Sequence, residues 1–378
     1  MTLYSERLRA YIEKMEEKNH FIIIMAGGIG SRFWPASTKE KPKQFLDILD
    51  IGKSLIQMTY ERCAKWIPKE NILICTHIHY VELVKAHLPE LPEENILCEP
   101  SLNNTAPCIA YAALKVQAKA GNAVLAVIPS DHIILDEEQF QKTLRQAFYF
   151  ARQEKAIVTL GIKPLRPDTG YGYIEMQCEC AGTPEEKLND PSIGICKVKS
   201  FKEKPDLETA EKYIQSGQYL WNAGMFVWQA ETILDAFRQY ASDILNILLT
   251  EPGRIGSEEE KEYLCRVYPF TRKVSIDYAI LEKADNVYTL PADIGWSDLG
   301  TWASLYSYVS SLDSENVVRS GQRVLEDSSG NLIRIPENKS LILRGLNNFI
   351  VVDEGNALLI YPMEKEQEIK ESLKKLEN

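Results

Sequence analysis

The sequence predicts an α/β protein, a mixed sheet with helices on its faces, followed by a small all-β segment. Three observations predict it. Strand-length apolar runs recur as FIIIMA (21–26), NILICT (71–76), AVLAVIP (123–129) and AIVTLGI (156–162), each reading as a strand buried on both faces. Helical stretches at 105–120 and 137–154 lie between such runs, the alternation of a sheet covered on both sides. From Val317 to Tyr361 the texture changes to short apolar strands separated by DSSGN (327–331), RGLNN (344–348) and DEGN (353–356), which are turn sequences.

Taken in order, Leu8, Tyr11, Ile12 and Met15 recur at helical spacing and predict an amphipathic helix over 4–18. FIIIMA then empties into glycines, as a parallel strand does when it ends in a loop. Beyond 170 the pattern is mixed, with strands at 169–176, 197–205 and 224–229 and helices at 206–216, 230–250 and 275–284. A charged helix at 364–376 closes the chain. The C-terminal strands are too few and irregular to predict a repeat array. The expected division is a domain over 1–310 and a β domain over 311–378.

The 378 residues are 45% hydrophobic, enough for one large core and a smaller one. The net charge of −11 argues against a general nucleic-acid binder, which needs basic faces. No run reaches the roughly 18–20 apolar residues of a membrane span. The first residues lack a signal peptide's apolar stretch. The eight cysteines are scattered, and Cys178 and Cys180 have no second pair at zinc-site spacing. Reduced thiols in a cytoplasmic protein are expected. With only five histidines, a His-rich metal site is not expected.

The segment MAGGIGSRFWPASTKEKPKQF (25–45) follows the first strand directly. Gly27, Gly28 and Gly30 allow tight turns and let backbone N–H groups approach an anion without a Cβ in the way. Arg32 supplies a bidentate phosphate donor, and Lys43 a second, mobile positive charge. A dinucleotide fingerprint would place glycine where Phe33 stands, and would need a helix that Pro35 and Pro42 oppose. A P-loop would need Gly-Lys-Ser/Thr after four residues, which is missing. This is a phosphate loop of another kind.

The pattern GGxGxRxWPxS…PKQF resembles the signature of the sugar-1-phosphate nucleotidyltransferases, and among them the mannose-1-phosphate guanylyltransferases. The likeness continues in order through EPSLNNTAP (99–107), PSDH (129–132), TGYGYIE (169–175), FKEKP (201–205), WNAGMF (221–226), SIDYAILEK (275–283) and WSDLGTW (296–302). It implies a Rossmann-like, GT-A-like nucleotidyltransferase domain with a C-terminal domain resembling a left-handed β-helix, which takes part in dimer contacts in the family. Asp131 and Asp298 are implied as Mg²⁺ ligands, and carboxylates are hard oxygen donors suited to that ion. Glu203 would accept from sugar hydroxyls, and Lys204 would reach the sugar's phosphate. Asn222, Gly172, Glu175 and Asp277 are implied around the sugar phosphate. Ser31 joins the phosphate loop, and Glu99 is the expected guanine reader, with Asn104 or Thr105 at the base or ribose. Relatives usually carry Arg where this chain has Asn103.

The implied reaction is mannose 1-phosphate + GTP ⇌ GDP-mannose + pyrophosphate. The attacking phosphate oxygen is already deprotonated, its second pKa being about 6, so no Ser, Cys or His nucleophile is needed. Arg32, Lys43, Asp131, Lys204 and Asp298 are the expected catalytic set. The longer members of the family add an isomerase module, for which no room is expected here. Two other readings stand beside this one: the same chemistry on another sugar or base, and a non-catalytic nucleotide-sugar sensor.

Overall fold

The computed structural model describes residues 19–28, 30–177, 194–310 and 316–376. The expected helix at 4–18 and the pair Cys178 and Cys180 lie outside them. The described residues belong to two compact units. The first draws on Met1–Gly27, Thr59–Ser130 and Ile134–Trp296, the second on Gly28–Met58, Asp131–Ile133 and Ser297–Asn378.

The first unit is built on a nine-stranded sheet. Its strands are β1 (His20–Ala26), β2 (Ile72–His77), β3 (Ile96–Glu99), β4 (Val124–Pro129), β6 (Ile157–Ile162), β7 (Gly172–Met176), β8 (Cys196–Glu203), β9 (Tyr219–Gln229) and β10 (Val287–Pro291); β5 (Ile133–Ile134) and β11 (Trp296–Ser297) are two-residue strands outside it. The order is β3-β2-β1-β4-β9-β6-β10-β8-β7. β1 pairs in parallel with β2 and with β4, whereas β9 is antiparallel to both β4 and β6. β1 lies inside the sheet, and Ile22, Ile23 and Ile24 are wholly buried. Burying each such side chain contributes about 1.5–3 kcal/mol, which is why this run tolerates no polar residue.

Helix Thr105–Ala120 begins where the Asn104 side chain accepts the Thr105 N–H at 2.8 Å, and ends at Gly121 with φ +66°. Its alanine-rich faces bury Ala106, Ile109, Ala110 and Ala113 in one core with Trp228, Ile233 and Phe237. Helix Glu137–Glu154 follows the expected span and is capped by Asp136, which accepts from the Gln139 N–H at 2.8 Å. The helix expected over 230–250 divides into Ala230–Tyr240 and Ser242–Leu248. The stretch expected as helix at 275–284 contains a π-helical turn over Asp277–Leu281.

The second unit does not start at the expected boundary of 311. Phe33, Leu46, Ile48 and Leu55 bury in one core with Trp302, Leu332, Ile350 and Ile369, so residues 28–58 share the core of the C-terminal segment. Here β12 (Val317–Arg319), β14 (Leu332–Arg334) and β16 (Phe349–Asp353) pair in parallel, closed by antiparallel β17 (Leu358–Pro362). A second parallel pair joins β13 (Arg323–Glu326) to β15 (Leu341–Arg344). These are stacked rungs, and the corner DSSGN lies on the corner RGLNN through a bridge between Ser329 and Asn347. Buried Asn331 donates to Asn316 Oδ1 at 3.0 Å and to the Leu346 carbonyl at 2.7 Å, and accepts from the Phe349 N–H at 2.9 Å. The sequence does not predict a repeat array, yet the register aligns apolar residues rung on rung, Val317 on Leu332 on Ile350 and Val318 on Ile333 on Val351.

Cys63, Cys75, Cys98, Cys108 and Cys265 are free thiols, but Cys196 is disulfide-bonded. The expectation of uniformly reduced thiols therefore fails at Cys196, since composition does not reveal a covalent bond. Among the described residues, no helix is long and apolar enough to cross a membrane.

Candidate active site

In the second unit, Gly30 takes φ +70° and leads into a single 3₁₀ turn, Ser31–Phe33, with no helix after it. That geometry agrees with the exclusion of a dinucleotide fold by Pro35. The missing Cβ of Gly30 serves a neighbour, because a Cβ there would collide with the Lys43 side chain. Lys43 is accordingly not the mobile cation expected from the sequence. It is 3% exposed, and its Nζ donates to Asp131 Oδ2 at 3.0 Å and to the Asp298 carbonyl at 2.7 Å. Three segments remote in sequence thus meet on one ammonium. Arg32 lies in the turn, and its Nε is buried without a hydrogen-bond partner among the described residues. Among the described residues, nothing beyond its chain neighbours lies within 4 Å of the Cβ position of Gly28.

The chain leaves β4 at Pro129 and reaches Asp131 two residues on. Burial would raise the Asp131 carboxyl, but the charges of Lys43 and His132 and the Lys43 hydrogen bond hold it below its ordinary value. About a third of the side chain, 32%, is exposed. Asp298 Oδ1 accepts from the Gly300 N–H at 3.0 Å. A Cβ on Gly300 would come within 2.5 Å of Asp298 Oδ2, so glycine there lets the carboxylate fold over the turn. Trp302, wholly buried, packs on Phe33 at 4.7 Å and donates from Nε1 to the Trp34 carbonyl at 3.1 Å. The residues WSDLGTW therefore also hold the turn that carries Arg32.

The expected nucleotide-side residues Glu99, Asn104 and Thr105 fall in the first unit, at the end of β3 and the start of the next helix. Glu99 is 4% exposed, its Oε1 takes the Tyr268 hydroxyl proton as a hydrogen bond, and its Oε2 lies near the Cβ position of Gly27. Burial pushes its carboxyl up to about 7, against the lowering hydrogen bonds from Tyr268 and Cys108. Thr105 Oγ1 accepts from the Ile276 N–H at 2.9 Å. Asn103, which replaces the usual arginine, is fully buried and donates to the carbonyls of Tyr268 and Thr271 at 3.0 and 3.1 Å. It ties this loop to the segment carrying Tyr268, so the departure is structural.

The sugar-side residues also lie in the first unit. Gly172 pairs with Glu203 across β7 and β8, and a Cβ on Gly172 would come within 2.6 Å of Glu203 Oε2. Asn222 Nδ2 donates to Asp277 Oδ1 at 2.9 Å, while its Oδ1 accepts from the Gly224 N–H at 3.0 Å. Burial and then the nearby Glu203 charge raise the Asp277 carboxyl. Lys204 has φ +47°, is 57% exposed at its side chain and forms an ion pair with Glu203. Lys202 is exposed, as alternation along the strand predicts. Glu175 is not brought to this cluster. It stands opposite Tyr219 and Ser200, on the sheet face of Tyr173 and Trp221, and binds Lys199 at 2.6 Å and Ser200 at 2.7 Å. Period-two alternation puts it opposite to Gly172 and Glu203, a signal the sequence already held.

Residues 21–315 match the family model described as nucleotidyl transferase, and the chain belongs to that family and is a nucleotidyltransferase. Among individual relatives, it is 37% identical over 362 residues to the mannose-1-phosphate guanylyltransferase of Salmonella montevideo, covering 94% of this chain and 73% of that one. It is 32% identical over 357 residues to the alginate biosynthesis protein AlgA of Pseudomonas aeruginosa, with 94% and 72% covered. Among solved structures, it superposes on a mannose-1-phosphate geranyltransferase from Thermus thermophilus with a TM-score of 0.82 and 28% identity, over 95% of this chain and 100% of that chain.

Proposed function

We propose that this enzyme transfers GMP from GTP to mannose 1-phosphate, giving GDP-mannose and pyrophosphate without a covalent intermediate. The observation that carries the reading is the buried Lys43 ammonium, which holds Asp131 ionised and brings the Asp298 turn to it. Such a fixed charge set suits phosphoryl-group transfer, where catalysis is positioning and neutralisation rather than covalent chemistry. Asp131 and Asp298 fit Mg²⁺, which binds through one or two carboxylates together with substrate phosphates. When bound there, the ion supplies charge neutralisation to those phosphates. Arg32 and the backbone at Gly28 take the phosphates of GTP, the guanidinium as a charge-assisted donor.

Glu203, Asn222 and the backbone at Gly172 orient the sugar, and Lys204 pairs with its phosphate in exchange for Glu203. Glu99 reads guanine, whose adjacent N1–H and N2–H₂ donors match a carboxylate. A non-catalytic sensor has no need of a buried lysine tethering two aspartates. The names of the relatives from Salmonella and Thermus support mannose 1-phosphate as the acceptor. Pyrophosphate release with GTP, dTTP, UTP and ATP, each paired with mannose or glucose 1-phosphate, tests the reading. GTP with mannose 1-phosphate should give the highest kcat/KM; a higher value for another pair would reassign the substrates.

A further inference from the structure

Asn222 lies on β9 at an irregularity in the sheet of the first unit. β6 and β9 pair as Thr159 with Phe226 and as Gly161 with Asn222, so residues 223–225 stand against Leu160 alone. This is a bulge, a device by which a strand re-aims a side chain. Gly224 within it takes φ +66°, the left-handed region open to glycine. Its N–H turns back to Asn222 Oδ1 at 3.0 Å.

Three contacts fix which way this amide faces. A backbone N–H only donates, so Gly224 requires the amide oxygen on its side. The hydroxyl of Thr159, wholly buried on β6, donates to the same Oδ1 at 3.3 Å. Nδ2 is thereby turned to Asp277 Oδ1, 2.9 Å away. Asp277 opens the π-helical turn and is itself held by the Ser275 side chain; such turns are rare and recur at functional sites. An amide nitrogen carries two N–H donors, and Asp277 takes one. Among the described residues the other has no partner, so Asn222 offers a ligand a donor. Glu203 offers an acceptor close by, since a Cβ on Gly172 would lie 2.6 Å from Glu203 Oε2 and 3.6 Å from Asn222 Cβ. A sugar hydroxyl both donates and accepts, and a phosphate oxygen accepts.

We propose that Thr159 and Asp277 are positioning residues for the acceptor substrate, holding Asn222 so that its amide N–H is presented to the sugar phosphate. The proposal rests on the placement of Asn222 at the sugar. Initial-rate kinetics with GTP and mannose 1-phosphate test it on Thr159→Val, which keeps the shape and removes the donor, and on Thr159→Ser, which restores it. Thr159→Val raises KM for the sugar phosphate about five-fold, the range of one neutral hydrogen bond, and leaves KM for GTP unchanged; Thr159→Ser stays close to the wild type. Asp277→Ala raises the same KM, and Asp277→Asn, which still accepts from Nδ2, rescues it. In an Asn222→Ala background Thr159→Val adds nothing further, because it acts through that amide. This cycle reads the coupling even where Thr159→Val lowers the melting temperature. An undiminished effect of Thr159→Val in that background overturns the proposal, as does an unchanged sugar-phosphate KM in the single variant. If Asn222→Ala itself leaves that KM unchanged, the placement of Asn222 at the sugar falls, and the proposal with it.

Discussion

Asp131 in the second unit and Asp277 in the first are both aspartates at candidate functional positions, yet they hold protons in opposite ways. Lys43 lies 3.0 Å from Asp131, and the carboxyl falls below its ordinary value although burial works against it. Burial and then the like charge of Glu203 raise the Asp277 carboxyl, against the Asn222 hydrogen bond that lowers it. Glu99 is carried up to about 7 by burial, although the Tyr268 hydrogen bond works the other way. Burial thus works upward on all three acids, and only at Asp131 do the neighbouring cations Lys43 and His132 outweigh it. The division suits the chemistry proposed. An acid that holds a cation must stay ionised, whereas acids near a sugar phosphate serve better when their charge is moderated.

The comparison breaks most forcefully at Lys43. Lys43→Met removes the ion pair with Asp131 and leaves the Asp298 carbonyl without its donor. Chemical denaturation should show a loss of about 3–4 kcal/mol, with the Asp131 carboxyl returning upward in an NMR titration. Unchanged stability would mean that the ammonium does not tether these segments.

A somewhat smaller effect is expected at Glu99. A carboxyl whose folded pKa is raised stabilises the fold fully below its unfolded value, and that contribution is lost as pH rises through the folded value. Stability should therefore fall by about 3 kcal/mol between about pH 4.5 and 7 from this group alone. In Glu99→Gln this part of the slope disappears, and the KM for GTP rises relative to that for UTP. Retention of the full slope in the variant would place its origin elsewhere.

The smallest effect sharpens the sugar side. Lys204→Ala should raise KM for the sugar phosphate about ten-fold, the range of one charge-assisted hydrogen bond, and KM for the nucleotide much less. The reverse ranking in initial-rate kinetics would show that Lys204 serves the nucleotide.

Much of this is legible in the sequence, for definite reasons. The run FIIIMA is a buried strand because no alternating pattern offers a polar face, and the structure buries Ile22 to Ile24 completely. Helices 105–120 and 137–154 carry their own stop and start residues, Asn104, Gly121 and Asp136. The four-residue β3 is too short to read, although it positions Glu99. Lys43 reads as a mobile cation because its partners, Asp131 and Asp298, are remote in the chain, and only the fold reveals that it is buried and that Gly30 makes room for it. Glu175 can be separated from Glu203 by counting along two strands. The parallel rungs can be aligned by their apolar strand residues, Val317 with Leu332 and Ile350, although the loops between them differ in length.

The central claim is that the aspartate held ionised by Lys43 carries the phosphoryl-transfer chemistry. Asp131→Asn tests it most directly, because the amide keeps the shape and can still accept from Lys43. The steady-state kcat with GTP and mannose 1-phosphate should fall by about a thousand-fold or more, while the melting temperature moves by no more than a few degrees. A variant that keeps near-normal kcat would contradict the account.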